Sequence, residues 1–355
     1  MKALQYQGPG AIAWIDVSAP VLQEPDDVII KPLAIATCDL DWEIIAGRTP
    51  FPAPFLLGHE FVGEVMAAGA GVRTVKVGER VAVAFQPGCG HCNPCDAGVG
   101  SACKSVPPTS MFGVGAVSGD WGGAFAEAIR VPYADNMLVP LPDSGSATRF
   151  ASASDNVADA LRTVAGYVAP GRNDRVLILG GYDSIPLYAV ACARTLGAGE
   201  VTFCTKDARA AANAAQLGAS VQLLEQWPKR FAASEVTVCA VHNEQALLAA
   251  IRSTAAGGHC TSVSIFAEDV ALPLREMYMR GIHFHTGRVE SVRVLGSVLQ
   301  WISSGDMDPL SVDTAVVPFA QLIPALLDRP AAKVIAVPVA GQLSSRPSRA
   351  PSLRH

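Results

Sequence analysis

RVLILGGYDSIPLYAVACARTLGAGEVTFCT, residues 175–205, holds two kinds of run joined by glycines. Arg175 to Leu179 is a short apolar stretch of strand length, and Gly180-Gly181 breaks it. Ile185 to Leu196 reads as a helix, closed by Gly197-Ala198-Gly199, and Val201 to Cys204 starts the next strand. The alternation continues through an Ala-rich helix at 208–217, a strand at 236–240 and a helix at 244–255. Gly257-Gly258 is predicted to be a turn, and Cys260 to Ile265 a strand. Strands separated by helices of this length imply a parallel sheet with right-handed crossovers, so 155–305 reads as a Rossmann-type dinucleotide-binding domain.

Upstream of Asp155 the texture is β-rich. Val28-Ile29-Ile30, Phe61 to Val65 and Arg80 to Val83 are short apolar or alternating runs punctuated by Gly and Pro. Residues 1–154 therefore form a separate β-rich domain, with 306–340 expected to rejoin it through runs such as Lys333 to Val337. The Ser-, Pro- and Arg-rich tail 341–355 has little to bury and is expected to be disordered.

Half of the 355 residues are hydrophobic, 17% are charged and the formal charge is −5. That composition supports a buried core and gives no basic stripe for nucleic acid or an anionic membrane. No leader-like or membrane-spanning apolar run is read, so a soluble cytoplasmic protein is expected. The nine cysteines then point to metal or catalysis rather than to disulfides.

Cys89, Cys92, Cys95 and Cys103 lie in QPGCGHCNPCDAGVGSAC, with two, two and seven residues between them. Gly88, Gly90, Pro94, Gly98 and Gly100 let this lobe (88–104) wrap on itself. Four thiolates suit a closed, tetrahedral structural zinc site. A bacterial ferredoxin run closes with three intervening residues rather than seven. His91 inside the lobe is read as a solvated loop residue, because the thiolates complete the shell.

Cys38 in ATCDLD, Gly58-His59-Glu60-Phe61-Val62-Gly63-Glu64-Val65, the cysteine lobe, Gly122 to Glu127, Gly180-Gly181 and Lys333-Val334-Ile335 occur in the order of a known pattern. With these motifs the chain resembles the zinc-containing alcohol dehydrogenases of the medium-chain dehydrogenase/reductase family, over residues 1 to about 340. The resemblance implies a GroES-like catalytic domain and a second, catalytic zinc held by Cys38, His59 and Asp155. Asp155 stands where many members have Cys. A thiolate, an imidazole and a carboxylate leave one position open for substrate, and the carboxylate makes the metal a slightly stronger Lewis acid. Glu60 matches a residue that sits near the metal in that family. The implied reaction is hydride transfer between a nicotinamide cofactor and a small alcohol or carbonyl, by homodimers or homotetramers joined along the Rossmann sheet edge near His283. Trp42, Phe51, Phe112 and Trp121 flank the metal-bearing segments and suit a mostly apolar substrate.

Three departures follow. The position that in the family relays the alcohol proton is Leu40, so Asp39, Asp41 or Glu43 would have to serve. The Gly-x-Gly-x-x-Gly fingerprint is damaged, Tyr182 and Pro186 standing near its later glycines; Gly180, Gly181 and Ser184 are what remains to meet phosphates. The acid expected at the end of the next strand is replaced by Thr205, followed by Lys206 and Arg209, which suits the 2′-phosphate of NADP(H) better than the ribose of NAD(H). The departures keep two alternatives open: a non-redox zinc Lewis-acid enzyme (lyase, isomerase or hydrolase) with a degraded dinucleotide site, and a zinc-stabilised binding protein without turnover. His242 is expected to be a loop residue, and His283 and His285 share a strand face as structural or interface residues.

Overall fold

The structure is a computed structural model and describes residues 1–338 other than Ser144 and Ala267, so the tail reading for 341–355 lies outside the described residues. Strands β1 (Lys2–Gly8), β2 (Ala11–Asp16), β3 (Val28–Ala36), β4 (Phe55–Leu56), β5 (Glu60–Ala68), β6 (Arg80–Val83), β7 (Ile129–Val131) and β8 (Leu138–Pro140) come first. Then follow β9 (Arg175–Gly180), β10 (Glu200–Thr205), β11 (Ser220–Leu223), β12 (Ser234–Ala240), β13 (Thr254–Ser262) and β14 (His283–His285). Strands β15 (Thr314–Pro318) and β16 (Lys333–Val337) close the series.

Strands β9 to β14 make one six-stranded sheet in the order β11-β10-β9-β12-β13-β14, and every pairing in it is parallel. The order reverses at β9, so the crevice beyond its carboxyl end is the expected ligand crevice of this fold. In β9 every residue after Arg175 is buried, as a central strand covered on both faces requires. The helix Ser184–Thr195 follows it, and Gly197 at φ +82° ends the turn beyond. Gly257 and Gly258 do not form a separate turn. They lie within β13, where pairing with β12 jumps from Ser234↔Thr254 to Val236↔His259. Gly257 takes φ +70°, and a Cβ on Gly258 would stand 2.7 Å from the Glu235 carbonyl oxygen, so the bulge needs both glycines.

The other large sheet runs β15-β16-β3-β5-β6-β8, with β7 on β3. Strand β16 pairs with β3 (Ile335↔Ala36), and β3 pairs antiparallel with β5 (Ala36↔Glu60). The end of β3, the start of β5 and β16 therefore meet at one corner, beside the helix Asp39–Ile45 that Cys38 caps. On the edge strand β14, His283 and His285 share a face, with His259 stacked on both and Tyr167 stacked on His259 and His285. No described helix is long and apolar enough to cross a membrane.

Candidate metal centre and dinucleotide cleft

Cys38 ends up at that corner because it is the N-cap of the helix Asp39–Ile45, its Sγ accepting from the Leu40 N–H at 3.4 Å. His59 immediately precedes β5, and Asp155 stands just ahead of the helix Asn156–Arg162, on the Rossmann side. All three are buried, and one ligand atom from each falls within 4.8 Å of the others. His59 Nε2 stands 3.1 Å from Asp155 Oδ2. Donors bonded at about 2.0–2.1 Å to one tetrahedral ion sit roughly 3.3 Å apart, so the pair already has the spacing of two ligands.

The electrostatics of this corner call for a cation. Burial, with Asp155, Asp41 and Asp39 adding to it, pushes the Cys38 thiol well above its ordinary range. Burial alone would pull His59 down, but the hydrogen bond to Asp155 and the nearby carboxylates outweigh it and raise its pKa. Burial works against the Asp155 carboxylate too, and contacts with His59 and Cys38 hold it below the usual range. A divalent ion would reverse the thiol's preference by favouring the thiolate. Behind the ligands, Asp41 Oδ2 accepts from the Cys38 N–H at 2.7 Å, and its Oδ1 faces His59 Nδ1 at 3.9 Å. Both of those facing atoms are buried and lack a protein hydrogen bond. At that distance the two atoms share no hydrogen bond, and Asp41 acts on His59 through its charge. The residues present fit zinc.

Glu60 does not point at the ligands. Its Oε1 accepts from the backbone N–H groups of Asp155 (3.2 Å) and Asn156 (2.7 Å), and its Oε2 pairs with Lys333 Nζ. Glu60 and Lys333 are both fully buried. Burial raises the Glu60 carboxyl to about 7 against the pull of Lys333. Glu60 thus ties the Asp155 loop to β16. Sequence alone gives Lys333 no place at the site, and its one signal is the terminal Lys-Val motif.

The proton-relay candidates part company. Asp39 turns to the helix Ser184–Thr195, Glu43 is bound twice by Arg48 (2.7 and 2.6 Å), and Asp41 alone faces the metal corner. Of the expected substrate walls, Phe112 is fully buried against Phe61 in the core and lines no cleft. Trp42 is buried beneath Arg329, while Phe51 and Trp121 are half-buried. His242 is exposed beside Phe266.

In the cysteine lobe, Cys92 Sγ lies 3.5 Å from Cys95 Sγ and 3.9 Å from Cys103 Sγ. Thiolates at about 2.3 Å from one zinc are roughly 3.8 Å apart. All four sulfurs fall within 4.8 Å of one another. Backbone N–H groups of Cys89, Lys104 and Ser105 point at the sulfurs of Cys103 and Cys92, and His91 Nδ1 is taken by the Cys89 carbonyl.

The dinucleotide cleft is a poor fit to a pyrophosphate. Gly180 packs so tightly that a Cβ would lie 2.5 Å from Pro186 Cβ. Tyr182 is buried, its hydroxyl donating to Asp313 and its ring under Arg209 at 4.0 Å. Asp183 pairs with Arg329 at 2.6 Å. The Ser184 N–H and hydroxyl both donate to Asp39. Thr205 ends β10 and is buried; Lys206 just after it and Arg209 in the following helix are exposed.

The sequence model for the alcohol dehydrogenase GroES-like domain matches residues 24–143. A glutathione-independent formaldehyde dehydrogenase of Pseudomonas aeruginosa is 34% identical over 56% of this chain and 53% of its own length. A probable zinc-binding alcohol dehydrogenase of Mycobacterium tuberculosis is 35% identical over 44% of this chain and 40% of its own. The chain thus spans about half the length of these curated relatives. The solved alcohol dehydrogenase from Thermus sp. ATN1 superposes with a TM-score of 0.88 at 26% identity, over 96% of this chain and 100% of that one. With an alcohol dehydrogenase GroES-like domain over residues 24–143, a parallel six-stranded sheet after it, and these relatives, the chain is similar to zinc-containing alcohol dehydrogenases of the medium-chain dehydrogenase/reductase family.

Proposed function

We propose that the protein is a zinc-dependent oxidoreductase interconverting a small, mostly apolar alcohol and its carbonyl. The observation that carries this reading is the buried Cys38, His59 and Asp155 trio, where the corner of β3 and β5 meets the start of the helix Asn156–Arg162. Zinc bound there supplies Lewis acidity toward the substrate oxygen. The chain's own residues hold the geometry: Asp41 keeps a carboxylate behind His59, while Glu60 and Lys333 tie down the loop that carries Asp155. Proton exit has no hydroxyl at Leu40 to use. Asp41 is the acid placed at the centre, since Asp39 and Glu43 are bound elsewhere.

The hydride partner belonging to this reading is a nicotinamide dinucleotide. Lys206 and Arg209, with no Asp or Glu at Thr205, favour NADP(H) over NAD(H) by charge. The phosphate stretch does not fit it in this conformation, and that observation favours the second reading, a non-redox Lewis-acid lyase, isomerase or hydrolase. Assembly as a homodimer or homotetramer through β14 belongs to the first reading. Incubation with small aldehydes and alcohols, following the absorbance of NADPH and NADH, tests it. Zinc-dependent turnover favouring NADPH is expected. Zinc-loaded protein that turns over neither cofactor with any of them points to the non-redox reading.

A further inference from the structure

In this fold the amino end of the helix after the first Rossmann strand faces the phosphates of a dinucleotide, because its free N–H groups and dipole favour an anion. Here that end already holds one. Asp39 Oδ1 accepts from the Ser184 N–H and the Ser184 hydroxyl, each at 2.8 Å, and Asp39 Oδ2 accepts from the Ile185 N–H at 2.9 Å. The carboxylate comes from the other domain, one residue after Cys38. Ser184 is tied down further by the Asn156 side chain, which donates to its hydroxyl at 2.8 Å.

The surroundings reinforce this occupancy. Asp183 lies beside the helix start and is held by Arg329. Arg329 also donates to the Tyr182 carbonyl and lies over Trp42, so this cation is engaged inside the protein. Arg209 is stacked on the Tyr182 ring. An incoming pyrophosphate would meet two carboxylates and find the helix N–H groups taken.

We propose that Asp39 is an internal occupant of the phosphate place, and that it sets how weakly this chain binds a dinucleotide. The inference rests on the oxidoreductase reading only in naming the dinucleotide as the excluded ligand. Phosphates can bind the Ser184 end only when Asp39 leaves it, so the affinity carries the cost of breaking three hydrogen bonds to a charged acceptor.

Calorimetric titration of zinc-loaded wild type, Asp39→Asn and Asp39→Ala with NADPH, NADH, inorganic pyrophosphate and adenosine tests this. Asp39→Asn keeps the shape and removes the charge, so it guards against a misfolded Asp39→Ala. Affinity for the three phosphate ligands is expected to rise about tenfold in Asp39→Asn and further in Asp39→Ala, with adenosine unchanged. A purely structural cap would lower affinity when removed. Equal or weaker phosphate binding in both variants overturns the proposal, whether or not the wild type binds. The oxidoreductase reading fails separately, if variants that gain dinucleotide affinity still reduce no carbonyl and oxidise no alcohol.

Discussion

Asp155→Ala is expected to lose the zinc at the Cys38 corner, keep the zinc in the cysteine lobe, and lower kcat/KM by about a thousandfold or more. Two donors remain after the substitution, and His59 loses the partner 3.1 Å from its Nε2. A Lewis acid is worth several kcal/mol of transition-state stabilisation, so its departure is not a small effect. The lobe is built from its own four sulfurs and nearby backbone, and it shares no ligand with this corner. Asp155→Cys is expected to keep both metals, because a thiolate is also a zinc ligand. Zinc counting beside steady-state kinetics reads both variants. Unchanged kcat/KM in Asp155→Ala would remove this residue from the centre.

Lys333→Met is expected to destabilise the fold by about 3–5 kcal/mol, the usual cost of leaving a buried charge without its partner. Glu60 and Lys333 are fully buried, and Glu60 Oε1 is already taken up by two backbone N–H groups. The deficit should depend on pH. Burial holds the Glu60 carboxyl above its ordinary value of 4.5, at about 7 even with the lysine present. A carboxyl raised in the folded state takes up a proton on folding, so its contribution is present at low pH and lost as pH rises through the folded value. Without Lys333 the loss should therefore be larger at about pH 8 than at about pH 5. Adding Glu60→Gln to Lys333→Met should recover most of it, because the unpaired charge disappears. Thermal melts of the two variants across that range are the measurement. A Lys333→Met protein as stable as wild type at both ends would mean that the pair is not what fixes the Asp155 loop.

The parts of the fold and site that can be read from the sequence are local. Cys89 to Cys103 carry their spacing within one short loop, and Gly58-His59-Glu60 opens an apolar strand in a single line of text. The alternation from Arg175 onward is equally local, and the sheet order β11-β10-β9-β12-β13-β14 is what it builds. What sequence reading misses is set by contacts between distant segments. Asp39 reads as a relay acid because it follows Cys38, yet its partner Ser184 lies 145 residues away. Glu60 reads as a metal neighbour, but Lys333, 273 residues on, claims its carboxylate. Phe112 looks like a cleft aromatic until Phe61 is found packed against it in the core. Gly257-Gly258 has turn chemistry, and the sheet uses it as a bulge instead.

The most direct test is the zinc content per chain of the purified wild type, taken together with the zinc X-ray absorption edge of the same sample. Two zinc ions per chain are expected, with an average first shell that mixes sulfur with nitrogen and oxygen, because Cys38, His59 and Asp155 contribute one of each. A single zinc with an all-sulfur shell at about 2.3 Å would place metal in the cysteine lobe alone and contradict a working centre at Asp155.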